Sequence, residues 1–232
     1  IISIGPSFGI RIFSLAETYW YAFSNLLKSF NRVTNKRKFL SNYKAQFKRP
    51  KLSNYTLKQP KNDYVFFMSS LWKQEVETNR FRANFIKSCK SHSHIEFEGG
   101  FAPRTNNDIK GFEDLTTERR VSMSEYLDKI KDSILVFNTP AVKDCHGWKL
   151  AEYLCLGKAI ISTPLTRQLP KQLESGLDVM YTKGTIEDLT KTINDILAQP
   201  LLRQELEQRA YTYYSTYLAP KKVVELLLEN MI

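Results

Sequence analysis

The stretch DCHGWKLAEYLCLGKAIIS, Asp144 to Ser162, contains the pattern that decides the fold. It opens on an acid, has a glycine three residues later and a second acid, Glu152, eight residues after the first. A helix-like apolar run is broken by Gly157 and Lys158, and an apolar run typical of a buried strand follows. A helix that turns directly into a buried strand indicates an α/β sheet protein. A plain structural segment does not need both acids, so they are candidates for ligand binding.

Strand-like and helix-like segments alternate outward from this stretch, over residues 63–232. Such alternation predicts a Rossmann-like, doubly wound parallel sheet, because parallel strands need helical crossovers between them. Ligands of these sheets bind at the carboxyl ends of the strands, which makes Ser70 and Thr139 candidates. The strand-like segments are YVFFMSS (64–70), HIEFEGG (94–100), ILVFNTP (134–140), AIIST (159–163) and DVMYT (178–182).

Residues 1–62 differ in composition from the rest of the chain. The aromatic, helix-like LAETYWYAFSNLLKSF is followed by a basic segment, Lys28 to Asn62, with 11 Lys or Arg and no Asp or Glu. Because residues 63–232 hold 22 basic and 23 acidic residues, the whole net charge of +10 comes from this segment. It is either a solvated linker or a contact for an anionic membrane, a nucleic acid or an acidic partner. No base-reading motif occurs, so we expect no specific nucleic acid.

The overall composition excludes several classes of protein. With 232 residues, 42% of them apolar, the chain can bury one sizeable core. No apolar run reaches the roughly 18 residues that span a membrane. Neither a P-loop nor a G-x-G-x-x-G motif occurs, which disfavours ATPases and NAD enzymes. Three cysteines without metal-ligand spacing predict reduced thiols in a cytoplasmic protein. The start, without Met, suggests further residues upstream.

The helix that opens near Gly147 has the chemistry of a phosphate site. Its first amides lack intrahelical partners and the macrodipole makes them electropositive, while glycine permits close approach. Lys149 adds positive charge, and Glu152 on the second turn can accept hydrogen bonds from two vicinal hydroxyls. Asp144, in the preceding loop, can contact a sugar. The alternative is that Asp144 caps the helix and that Lys149 and Glu152 form a surface ion pair.

These residues together resemble the E-x7-E region of GT-B glycosyltransferases of the group-1, family-4 kind. In that family an acid is followed after two residues by a glycine and after four more by a glutamate, and a helix and a G-x-P-V-I turn come next. Here the acid is Asp144, the glycine is Gly147, the glutamate is Glu152, and residues 157–161 take the place of the turn. YVFFMSSLW resembles the first strand of that family's C-terminal domain. The resemblance implies a donor-binding domain over residues 63–232, and an end of the N-terminal, acceptor-side domain plus a basic linker over residues 1–62.

The resemblance also assigns roles to single residues. It implies that Glu152 binds the nucleotide ribose and that Asp144, as the catalytic candidate, contacts the donor sugar. Arg80 is expected to be a solvated surface charge, since it cannot face the same way as Arg82. Departures from the family are the shorter Asp144 and the missing proline after Gly157. The donor-binding candidates are Glu152, Gly147, Trp148, Lys149, Lys73, Arg82, Ser70 and Thr139.

The implied activity is a retaining transfer of a sugar from a nucleotide-diphosphate sugar to a glycan or lipid-linked acceptor. Cell-surface polysaccharide or glycoconjugate synthesis in the cytoplasm, at the inner face of the plasma membrane, is the expected setting. No D-x-D pair occurs, so we expect no metal and no cofactor. The alternatives are a non-catalytic basic module that binds membrane or nucleic acid, or a domain that has lost its ligand. The transferase interpretation requires the Glu152 side chain to face an open cleft.

Overall fold

The computed structural model of the chain describes residues 3–105 and 109–229. Its N-terminal segment forms two helices, and the rest alternates strands with helices as predicted. The helices are α1 (Leu15–Lys28), α2 (Lys36–Phe47), α3 (Val76–Lys90), α4 (Met123–Asp132), α5 (Trp148–Cys155), α6 (Ile186–Ala198), α7 (Pro200–Tyr213) and α8 (Pro220–Glu229). The strands are β1 (Tyr64–Ser69), β2 (Glu96–Phe101), β3 (Val136–Asn138), β4 (Ile160–Ser162) and β5 (Met180–Tyr181).

The strands form two parallel sheets, β1–β2 and β3–β4–β5. The sheets meet where the Ile134 amide donates to the Tyr64 carbonyl at 2.8 Å and the Phe66 amide to Ser133 Oγ at 2.7 Å. Across both sheets the strand order is therefore β2-β1-β3-β4-β5. This order confirms the predicted doubly wound parallel architecture. Its switch point, where ligands of such folds bind, lies between β1 and β3.

The predicted helix-to-strand stretch folds as α5 followed by β4. Leu150, Ala151 and Leu154 are fully buried, because one face of α5 packs against the sheet and α7. Gly157 ends the helix with a φ of +55°, a conformation that glycine adopts without strain. A β-carbon there would lie 2.9 Å from Leu57 Cδ2 and 3.2 Å from the Glu207 carbonyl oxygen. The glycine therefore permits both the left-handed turn and close packing.

The core lies on both faces of the sheet because successive strand residues point to opposite sides. Phe66 and its neighbours pack against α5 and the segment after α7, whereas Phe67 packs on the α3 side. There, the Phe85 and Phe137 rings stack at 4.5 Å between centroids. These packed aromatic residues hold the ends of β1 and β3 in fixed positions beside α5.

The N-terminal segment is more ordered than a linker. Its basic part contains α2, where Phe39, Leu40, Tyr43 and Phe47 follow a helical spacing that the sequence interpretation overlooked. The α1–α2 hairpin is joined by a hydrogen bond of 2.8 Å from Asn25 to the Tyr43 hydroxyl, and no residue of α2 is buried. The stretches on either side of the hairpin pack on the sheet domain. Assignment of residues 1–62 to an acceptor-side domain stays a prediction.

Candidate active site

A cavity of about 650 Å³ opens at the carboxyl ends of β1 and β3, at the switch point of the sheet. It is bounded by the loop after β1, the N-terminus of α5 and side chains from α3 and α4. Seven of the nine predicted site residues line it. They are Ser70, Arg82, Thr139, Gly147, Trp148, Lys149 and Glu152.

The mouth of α5 faces this cavity. Gly147 is the N-cap residue, with φ −80° and ψ 158°, angles that any residue adopts. A β-carbon on Gly147 would meet only Ala141 Cβ, at an ordinary distance of 3.7 Å. Neither the backbone nor the packing therefore requires glycine here, and the space in front of the first amides is open. This is the geometry that close approach of a phosphate to a helix N-terminus needs.

Arg82 reaches the cavity from α3 and is held in place by two hydrogen bonds. Nε donates to Thr139 Oγ1 at 3.0 Å, and Nη1 donates to the Ser70 carbonyl at 3.0 Å. Burial lowers the pKa of Arg82 to about 10, so the guanidinium stays charged at neutral pH. Nη2 donates to no protein atom within residues 3–105 and 109–229. Ser70 and Thr139 therefore orient Arg82, which leaves Nη2 for a ligand.

Lys149 is a second basic residue beside Arg82, and it is half-buried. Nζ donates to the Met68 carbonyl at 2.5 Å and lies 4.4 Å from the centre of the Phe67 ring. Burial lowers the pKa of Lys149 well below its usual value, and the nearby Arg82 charge lowers it further. An ammonium group has three donors, so two remain after the Met68 bond. Lys149 and Arg82 together form an electropositive wall beside the α5 mouth.

Glu152 lies at the floor of the cavity and is only 5% exposed. The Tyr55 hydroxyl donates to its Oε1 at 3.2 Å. Burial raises the pKa of Glu152 to about 7, although the Tyr55 hydrogen bond and the Lys149 charge both act to lower it. Among the described residues, Oε2 accepts no hydrogen bond. The side chain thus faces the cleft, as the transferase interpretation requires, and a surface pair with Lys149 is excluded.

Two predicted residues do not line the cavity. Lys73 is exposed in the loop between β1 and α3. Asp144 is exposed at the end of a 3-10 turn, where φ is 57° after a φ of 55° at Lys143. Val142, which begins this turn, and Cys145 and His146, which follow it, line the cavity wall. Asp144 does not line the cavity in this conformation, so its contact with a donor sugar stays a prediction. The N-cap of α5 is Gly147, not Asp144.

Other residues agree with or add to the prediction. Arg80 is exposed and pairs with Glu77, as expected of a surface charge. The Arg49 guanidinium lies 4.6 Å from the centre of the half-exposed Trp148 ring. Arg49 and Tyr55 were missed because they lie in the basic segment, far from the cavity in sequence, and no motif marks them.

His146 lies on the cavity wall with one ring nitrogen near a carbonyl. Its Nε2 is 3.4 Å from the Gln168 oxygen, and its buried Nδ1 has no partner among the described residues. Burial lowers the pKa of His146, so the ring is neutral at physiological pH. A neutral imidazole at this position can accept or donate one proton.

Comparison with protein-family models and with curated proteins finds no match. Among solved structures, Anabaena HepE in complex with UDP superposes with a TM-score of 0.54 at 14% identity, over 84% of this chain and 61% of that one. TarM superposes with a TM-score of 0.54 at 13% sequence identity, over 75% of this chain and 36% of that one. TarM from S. aureus is also known in a complex that contains UDP. A Listeria monocytogenes protein assigned as a UDP-N-acetylglucosamine 2-epimerase superposes with a TM-score of 0.51 at 15% sequence identity, over 82% of this chain and 56% of that one.

The chain therefore has the fold of the C-terminal domain of GT-B glycosyltransferases, as the E-x7-E resemblance implied. The likeness, at 13–15% identity, defines the fold alone. The chain spans between 36% and 61% of the length of these three proteins.

Proposed function

We propose that this chain is the donor-binding part of a glycosyltransferase and that its cavity holds a nucleoside-diphosphate sugar. One observation carries the proposal. A buried carboxylate, Glu152, lies on the cavity floor, and its Oε2 accepts no hydrogen bond from the described residues. The buried Arg82 and the half-buried Lys149 lie beside it at the open N-terminus of α5. The carboxylate suits the two hydroxyls of a ribose, and the cations suit a diphosphate.

Each group has a distinct task in this proposal. Arg82 Nη2, the Lys149 ammonium and the first amides of α5 hold the diphosphate and offset the charge that develops on the leaving nucleotide. This makes a metal unnecessary. Asp144 remains our candidate for contact with the sugar, and requires its loop to rearrange when donor binds. Transfer with retention of configuration, in the synthesis of cell-surface glycans, is the activity that the E-x7-E resemblance favours.

The structural neighbours support a uridine nucleotide as the first ligand to test. HepE was crystallised with UDP and with UDP-glucose. The epimerase assignment of the Listeria protein means that the fold also accompanies a different reaction. Product analysis separates the two: a transferase yields a glycosylated acceptor, and an epimerase yields a sugar of changed configuration.

Calorimetric titration with UDP, GDP, ADP and CDP tests the proposal directly. We expect one of these nucleotides to bind, and Glu152→Ala to abolish the binding. Asp132→Ala is the matched control, because this carboxylate pairs with Lys58 and Lys61 outside the cavity. Absence of binding for the whole panel, or equal binding by Glu152→Ala, contradicts the proposal.

A second candidate activity, which is compatible with the first, is docking on an anionic membrane through the α1–α2 hairpin. Trp20 is 68% exposed and Phe23 is 60% exposed on α1, and they lie beside the acid-free, basic α2. Exposed aromatic residues beside lysines suit the interface of an anionic bilayer. No helix in the described parts of the chain is long and apolar enough to cross a membrane. We therefore propose peripheral binding at the inner face of the plasma membrane, where a lipid-linked acceptor would be available.

Co-sedimentation with vesicles tests this second candidate. We expect binding to phosphatidylglycerol vesicles, no binding to phosphatidylcholine vesicles, and loss of binding in a Trp20→Ser, Lys36→Gln, Lys38→Gln variant. Glu152→Ala should bind vesicles normally. Equal binding to both lipids, or a preference for RNA over vesicles, argues against the membrane.

A further inference from the structure

The carboxylate on the cavity floor is contacted by a residue from outside the sheet domain. Tyr55 lies 97 residues before Glu152 in the sequence, in the basic segment. Its ring is 7% exposed and packs 4.7 Å from the ring of Phe8, which belongs to the same N-terminal segment. Its hydroxyl donates to Glu152 Oε1. The N-terminal segment therefore contacts the carboxylate on which the proposed function depends.

We propose that Tyr55 is a positioning residue for nucleotide binding. Its hydroxyl holds Glu152 Oε1, so that Oε2 stays turned towards the cavity to accept the hydroxyls of the ribose. This inference rests on the proposed function. A carboxylate can rotate about its last bond, and a donor on one oxygen restricts that rotation before the ligand arrives.

The same hydrogen bond also favours the ionised form of Glu152. A buried carboxylate that loses its donor becomes easier to protonate, because burial penalises only the charged form. Removal of the Tyr55 hydroxyl should therefore raise the pKa of Glu152 further. Nucleotide binding that needs the carboxylate ionised would then be lost at a higher pH than in the wild type.

Several other groups around Glu152 also affect its charge. Lys149, one turn earlier on α5, lowers its pKa, and the nearby tyrosine hydroxyls and thiol are neutral below pH 9. None of them replaces Tyr55 as a donor to Oε1 in the described parts of the chain. The titratable and charged groups that face this region are Arg49 and Tyr55 from the N-terminal segment, Arg82 from α3, Tyr126 from α4, and Lys149, Tyr153 and Cys155 from α5.

The chain contains a matched control for this pair. The Tyr64 hydroxyl donates to Glu98 Oε2 at 2.7 Å, and the Tyr64 ring is as well buried as that of Tyr55. Neither Tyr64 nor Glu98 lines the cavity. Loss of a buried tyrosine hydroxyl as such is therefore measured by Tyr64→Phe, and loss of the positioning contact by Tyr55→Phe.

The experiment is a calorimetric titration of UDP, or of whichever nucleoside diphosphate the wild type binds, from pH 6 to pH 9. For Tyr55→Phe we expect an affinity about 10-fold lower than that of the wild type at pH 7 and a smaller difference in affinity at pH 9. The loss of affinity on acidification should begin at a higher pH than in the wild type. Tyr64→Phe should keep wild-type affinity and profile. In a Glu152→Gln background, Tyr55→Phe should cause no further change in the pH profile.

The outcomes separate this inference from the proposed function. Wild-type affinity and pH profile in Tyr55→Phe, while Glu152→Ala abolishes binding, overturns the inference and leaves the proposed function standing. An affinity loss of the same size at every pH also overturns it, because that indicates a purely structural role. Urea unfolding of both phenylalanine variants establishes that they fold. If Glu152→Ala binds normally, the proposed function and this inference both fail.

Discussion

Two tyrosine–glutamate pairs lie in different regions of this molecule and differ in their electrostatics. Tyr55 and Glu152 lie beneath the cavity, where burial raises the pKa of Glu152 to about 7. Tyr64 and Glu98 lie at the β2 edge of the sheet, where the Glu98 side chain is 45% exposed. Burial raises the pKa of Glu98 as well, but hydrogen bonds from Lys129 and Tyr64 outweigh it, so the net pKa is lowered.

The difference shows that a tyrosine hydrogen bond alone does not set the charge of a carboxylate. Lys129 donates directly to Glu98 at 2.7 Å, whereas the ammonium of Lys149 donates to the Met68 carbonyl and acts on Glu152 only through its field. Among residues 3–105 and 109–229, Glu152 therefore has no direct cationic partner, and it keeps an oxygen open to the cavity. A carboxylate with such an open oxygen can accept hydrogen bonds from the hydroxyls of a bound ligand. Glu98, which lies outside the cavity, is not placed to do so.

The largest expected contrast between the pairs is in the dependence of stability on pH. Because the pKa of Glu152 is raised from 4.5 to about 7, the free energy of unfolding should fall as pH rises across this interval. Glu152→Gln should remove that fall and stabilise the ligand-free protein above pH 7, on the order of 3 kcal/mol at about 1.4 kcal/mol for each pH unit. Urea unfolding at pH 5 and pH 8 measures the effect.

Glu98→Gln provides the control for that measurement. A lowered pKa contributes stability above pH 4.5 that is lost as the pH falls below it, so this variant should be slightly less stable at neutral pH. The side chain is half exposed, and the loss should be below about 1 kcal/mol. Stabilisation by both substitutions at pH 8 would contradict the contrast.

The second contrast concerns the two lysines. Lys149→Met removes a cation from the cavity wall and should weaken nucleoside diphosphate binding about 20-fold, because one charge-assisted contact to the diphosphate is lost. Lys129→Met removes the cation beside Glu98 and should leave this affinity within about twofold. Calorimetric titration of both variants measures the two affinities. Equal losses of affinity would contradict the assignment of Lys149 and Arg82 as the diphosphate-binding cations.

The smallest contrast is in the response to salt. Ions screen exposed pairs more than buried ones, so an increase from 0.05 to 1 M NaCl should raise the pKa of Glu98 by a few tenths of a pH unit and leave that of Glu152 nearly unchanged. Carboxyl-carbon NMR titration of glutamate-labelled protein measures both groups in one sample. A larger salt response at Glu152 would mean that its surroundings are wetter than the structure indicates.

Much of the sheet domain was predictable because its signals are local. Ser122 and Thr185, the N-caps of α4 and α6, are residue types that favour helix starts. The helix mouth at Gly147 was placed from one glycine between a strand pattern and an apolar helical run. The fold followed from these patterns and the carboxyl-end rule for parallel sheets, and the E-x7-E resemblance added further cavity residues such as Arg82 and Trp148.

Two features of the folded chain were not visible in the sequence patterns. The segment from Lys28 to Asn62 was interpreted as a linker, since a run of like charge normally stays solvated, yet it forms α2 and delivers Tyr55 to the core. Asp144 was predicted at the sugar because it precedes the helix mouth by three residues. Two successive left-handed residues, Lys143 and Asp144, turn its side chain to solvent in this conformation, and the sugar contact stays a prediction.

The sequence by itself determined the parallel sheet and the glutamate on the second turn of α5, because apolar periodicity and glycine position act over a few neighbouring residues. Only the tertiary structure decided the strand order and its switch point, and that this glutamate is buried with no direct cationic partner among the described residues. It also decided that the hydroxyl of a tyrosine 97 residues earlier donates to the glutamate. Burial and hydrogen bonding depend on which distant segments pack together, and spacing along the chain does not encode that contact.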